Sequence, residues 1–144
     1  DKRWAGVTIS QRNGFSKGKG DTMFEYQYGI RLSDDQLSQF RRKLIQIFAQ
    51  EYDIKSNRLW NCLRVKAKCL DFEEASKLAV PVSVLLYLER QNEVYRTRFK
   101  DVCKYVEELE PWEYIDAYVF DDTFSWLFVI THEELKCLVV GLQE

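Results

Sequence analysis

The stretch Ile115-Asp116-Ala117-Tyr118-Val119-Phe120-Asp121-Asp122-Thr123-Phe124-Ser125-Trp126-Leu127-Phe128-Val129-Ile130 decides the class of fold. Two short runs rich in β-branched and aromatic residues flank an Asp-Asp-Thr turn, which is the pattern of a hairpin. The run Lys136-Cys137-Leu138-Val139-Val140 follows closely and adds a third strand. Strands are therefore expected at about 114–120, 126–131 and 136–141. Connections this short suit an antiparallel meander.

Upstream, Val82 to Leu88 reads as a buried strand, Gln91-Asn92 as a turn, and Val94 to Phe99 as its partner. Phe99, Val102, Cys103, Val106 and Leu109 recur at helical steps, so a helix is expected at 99–109, closed by Pro111. A second main helix is expected at 34–51. There Ser33 and Gln36 form a capping box, and Leu37, Phe40, Leu44, Ile47 and Phe48 share one face. Residues 54–80 read as a helical turn, a strand ending near Cys69, and a brief helix at 72–78 capped by Asp71. Strands at 4–9 and 23–28 would flank a flexible Gly/Lys loop at 13–20 as a possible β-hairpin. That loop is not a P-loop, because Gly14 to Gly18 is one residue short and Gly20 follows Lys19 where a hydroxyl is needed. The expected architecture is one α+β domain over 1–144, an antiparallel β-sheet meander packed by two main helices on one face.

With 144 residues and 46% apolar content, the chain can bury a sizeable core, which excludes a disordered tail. No apolar run reaches the length of a membrane-spanning helix. Net charge is only −2, yet it is unevenly placed. Residues 1–100 carry 19 Lys/Arg against 12 Asp/Glu, whereas residues 101–144 carry 2 against 11. Opposite signs in the two parts either neutralise each other across the fold or leave faces that steer charged partners. Cys62, Cys69, Cys103 and Cys137 show no paired ligand spacing and sit among apolar neighbours, so reduced, buried thiols in the cytoplasm are expected, with no metal or other cofactor. The basic residues of the first helix are followed by acids and lack interleaved aromatics, which favours a solvated face over the alternative of nucleic-acid binding.

The densest polar cluster lies in the last third. It comprises Glu110, Trp112, Glu113, Tyr114, Asp116, Tyr118, Asp121, Asp122, His132, Glu133 and Glu134. As a hydrolytic site it would use His132 as base and Asp121 or Asp122 as metal ligands. Against catalysis stand the single histidine and the lack of Lys or Arg in the cluster to stabilise developing negative charge. As a recognition surface it has aromatic anchors and carboxylates that attract a basic partner. Trp126, inside an apolar strand, reads as core, while Trp112 is open to either role. The chain is accordingly expected to be a binding protein and not an enzyme.

Residues 114–133, running from Tyr114 through the acidic turn and the Trp126 strand to Thr131-His132-Glu133, resemble the ending of small bacterial α+β proteins. In these a tyrosine-rich strand, an acidic turn and a tryptophan strand run into a Thr/Asn-His-Glu/His terminus. Such proteins resemble the immunity proteins of polymorphic and contact-dependent toxin systems, and the likeness extends over about 82–141. It implies a cytoplasmic inhibitor that binds a cognate toxin domain, such as a cationic nuclease, without catalytic residues of its own.

Overall fold

Ser33 opens the first helix as expected: its hydroxyl accepts the backbone N–H of Gln36, and the Gln36 side chain returns to the Ser33 backbone. In the computed structural model, which describes residues 26–50 and 58–142, this helix is α1, Asp34–Phe48. It stops three residues short of the expected end. Ala49 is already extended and bridges Leu63, and the Gln50 N–H donates to the Cys62 carbonyl at 2.7 Å. The strand expected at 4–9 and the loop at 13–20 lie outside the described residues. Of the strand expected at 23–28, only residues 26–28 are described, and they form no strand. Pairing begins instead at β1, Ile30–Arg31, after Gly29. A Cβ on Gly29 would meet the Arg96 carbonyl oxygen at 2.8 Å, so only glycine lets the chain approach β4 (Glu93–Arg98) this closely.

The remaining elements are β2 (Lys68–Leu70), α2 (Phe72–Ala75), β3 (Ser83–Leu88), α3 (Phe99–Glu107), β5 (Ala117–Phe120), β6 (Leu127–Ile130) and β7 (Cys137–Val140). A 3₁₀ turn, Leu59–Cys62, precedes β2. The strands form a single antiparallel sheet in the order β1-β4-β3-β5-β6-β7-β2. The expected hairpin and meander are both present.

The helices do not share one face. Leu85, Tyr87, Tyr118, Phe120, Leu127 and Val129 pack toward α1, where Leu37, Leu44, Ile45 and Phe48 are buried. Leu86, Leu88, Val119, Phe128 and Ile130 pack toward Val102, Tyr105 and Val106 of α3 and toward Ala75 of α2. Burial is unbroken along Val84–Leu88, Ala117–Phe120 and Leu127–Ile130, because each successive side chain enters one of two apolar layers. Cys62 and Cys137 are buried as expected, Cys103 is half-buried, and Cys69 is exposed because β2 is an edge strand.

The register gathers four segments at one end of the sheet. Leu88 pairs with Glu93 and with Ala117, Ala117 with Ile130, and Ile130 with Cys137. The β3–β4 turn, the approach to β5 and the β6–β7 turn therefore adjoin one another, with the 3₁₀ turn beside them.

Candidate functional site

Asp116 immediately precedes β5, and the strand's period of two puts it on the α1 side with Tyr118. Only 1% of the residue is exposed. Its Oδ1 accepts the Trp60 indole N–H at 2.9 Å and the His132 backbone N–H at 3.2 Å, and it lies 2.9 Å from His132 Nδ1. Its Oδ2 takes Arg90 Nε at 2.8 Å, with Arg58 Nε at 3.6 Å. A carboxylate so enclosed keeps its charge only because these donors replace water. Beside it, Glu89 accepts the Leu59 N–H at 3.0 Å and the Tyr118 hydroxyl at 2.6 Å, while that hydroxyl accepts the Trp60 N–H at 2.9 Å. Burial, followed by the neighbouring Glu89 charge, pushes the Tyr118 hydroxyl far above the ordinary phenol range, so it stays a neutral donor.

Above this buried layer opens a pocket of about 800 Å³ lined by Arg90, Tyr114, His132, Glu133, Glu134 and Lys136. The His132 ring meets the rings of Trp60 and Tyr114 edge-on at 5.9 and 5.8 Å, and the Arg90 guanidinium lies 5.6 Å from the Tyr114 centroid. The β6–β7 turn that carries Glu133 and Glu134 is unusual. Glu134 and Leu135 both adopt positive φ, 58° and 54°, a conformation that hairpin turns normally assign to Asn and Gly. The Thr131 hydroxyl and N–H both donate to the Lys136 carbonyl and close the turn.

The adjoining loop holds Trp112 and Tyr114 in the open, 64% and 56% exposed. Its conformation is set locally. The Glu113 N–H donates to the Glu110 carbonyl at 2.9 Å, and the Glu110 N–H returns to the Glu113 carboxylate at 2.7 Å. Of the residues expected at the site, Glu110, Trp112, Glu113, Tyr114, His132, Glu133 and Glu134 thus meet at this end. Asp116 and Tyr118 belong to the buried layer beneath and have no surface to offer a partner, which corrects their expected role as direct contacts. Asp121 and Asp122 lie at the other end of β5, on the order of 15 Å away. Burial would raise the Asp121 carboxyl, but the hydroxyl and N–H of Thr123 hold it below the usual range. Asp122 faces Arg96 at 3.9 Å.

Arg58, Trp60, Glu89, Arg90 and Lys136 were not foreseen. The segment 110–134 contains neither Lys nor Arg, yet the fold brings Arg58 of the 3₁₀ turn and Arg90 of the β3–β4 turn against Asp116, and Lys136 follows at the β6–β7 turn. Among the described residues, no group of three or more His, Cys, Asp or Glu is arranged to hold a metal ion. No helix among them is long and apolar enough to cross a membrane. Comparison with protein-family models, with curated proteins and with solved structures returned no match.

Proposed function

We propose that this protein is a non-catalytic binding module that docks a basic protein partner on the rim formed by residues 110–114 and 132–134. The finer form of the proposal follows from the resemblance: the partner is a cognate toxin domain of cationic character, such as a nuclease, neutralised in the cytoplasm by occlusion. The supporting observation is the exposure of Trp112 and Tyr114 among Glu110, Glu113, Glu133 and Glu134 on a loop fixed by its own hydrogen bonds. Exposed aromatics on a pre-ordered loop lose little entropy on binding, and surrounding carboxylates attract and orient a basic surface. The test is co-expression with the protein encoded beside it, reading both complex formation and survival. Complex formation that is lost in Trp112→Ala and in Glu110→Lys/Glu113→Lys supports the proposal. A complex indifferent to these changes, or no complex, refutes it.

A second reading, hydrolysis with His132 as base, is favoured by one observation: His132 is paired with buried Asp116 while Arg90 and Lys136 line the same pocket. It requires that His132→Ala abolish a measured turnover while leaving partner capture intact.

A further inference from the structure

Asp116, gripped by Arg90, Arg58 and the Trp60 indole, acts as an ionised carboxylate, which can only accept hydrogen bonds. The Nδ1 facing it at 2.9 Å must therefore carry the imidazole proton. In the neutral ring, Nε2 is then left with an open lone pair on the edge turned away from Asp116. His132 lines the pocket, its side chain 28% exposed, and Nε2 makes no hydrogen bond among the described residues. With the ring neutral, the pocket combines a nitrogen acceptor with the carboxylates of Glu133 and Glu134. We propose that it receives a lysine side chain of the partner, whose ammonium donates to His132 Nε2 and to these two carboxylates.

An ammonium suits the site better than a guanidinium. It has three donors in tetrahedral arrangement for three acceptors, whereas a guanidinium is planar and gains most from stacking. The Arg90 guanidinium already occupies one face of the Tyr114 ring. Arg90 is tied to Asp116 at 2.8 Å, which offsets part of its charge. Lys136 is the cation the ligand would have to displace from the rim. This inference rests on the docking of a basic partner proposed above and names the side chain that enters.

The test uses the tag-free 144-residue chain, whose single histidine gives one pair of ring nitrogen signals. Long-range proton–nitrogen spectra should show the neutral ring protonated at Nδ1, and a hexalysine peptide should shift Nε2 more than Nδ1. In fluorescence anisotropy, Glu133→Gln/Glu134→Gln should weaken labelled hexalysine about tenfold, and Lys136→Ala should strengthen it. Both sets of positions are on the exposed turn, so the variants test binding without disturbing the core. A proton on Nε2, no hexalysine binding, hexaarginine binding as tightly as hexalysine, or weakening by Lys136→Ala together with binding of hexaglutamate would each overturn the proposal. If it fails while Trp112→Ala still abolishes capture of the protein partner, the docking surface stands and only the lysine receptacle is lost.

Discussion

Asp116 is tied to three segments that are distant in sequence: the 3₁₀ turn through Trp60 and Arg58, the β3–β4 turn through Arg90, and the β6–β7 turn through His132. Replacing it with Asn keeps the shape but leaves two guanidinium groups facing a neutral amide. Asp116→Asn is expected to cost about 3 kcal/mol, read as a lowered urea midpoint with an unchanged slope. Trp112 presents the opposite case. Its ring is mostly in solvent, so Trp112→Ala should leave stability within about 0.5 kcal/mol while weakening partner affinity at least about tenfold. The two substitutions separate the layer that holds the site from the layer that uses it.

At the scale of elements, the β6–β7 turn holds Glu134 in a left-handed conformation that a side chain with a branched or long stem rarely adopts. Asn tolerates that conformation, so Glu134→Asn is expected to stabilise the fold by about 1 kcal/mol and at the same time to weaken partner binding. Equilibrium unfolding and a binding titration on the same sample check both signs. The turn, the capping box of α1, the β3–β4 hairpin and the meander were legible because each is written in residues within a few positions of one another. The two-sided burial of the sheet was misjudged, although Val84 to Leu88 runs apolar without a break and that run carries the signal. Tyr114, His132 and Glu133 could be grouped from one segment, whereas Arg58, Trp60 and Arg90 could not. Arg90 comes near because β3 pairs with both β4 and β5, and the 3₁₀ turn with Arg58 and Trp60 is held by Glu89 and Tyr118; no local pattern encodes either choice of neighbours. Proximity in sequence also misled: Asp121 and Asp122 are separated from the site by the length of β5 itself.

Across the whole molecule, the site's rim carries the exposed and partly exposed carboxylates of Glu110, Glu113, Glu133 and Glu134. Long-range attraction to a basic partner should therefore be screened by salt. The association rate constant is expected to fall about tenfold between about 0.02 and 0.5 M salt, with a smaller change in dissociation, measured by stopped flow. The interior responds to pH in the alkaline direction. Burial, reinforced by nearby Cys103, Cys69 and Asp71, pushes the Cys137 thiol from 9.0 to about 12, and burial raises Tyr105 from 10.0 to about 12. Below pH 9 the thiol is protonated in folded and unfolded chains alike, so its contribution is fully present. Above that, the unfolded chain loses its proton first, and stability falls until pH reaches about 12. Melting temperature should thus be level near neutrality and drop from pH 9 upward. Cys137→Ala should shallow that drop by about one proton in the linkage slope, whatever its constant offset. Because both faces of the sheet are sealed by helices, the loop at 110–113 and the side chains of Glu133 and Glu134 can vary without repacking the apolar layers, while His132 stays tied to Asp116. Residues 110–113, 133 and 134 form a short cassette that a handful of substitutions can rewrite while the fold stays intact.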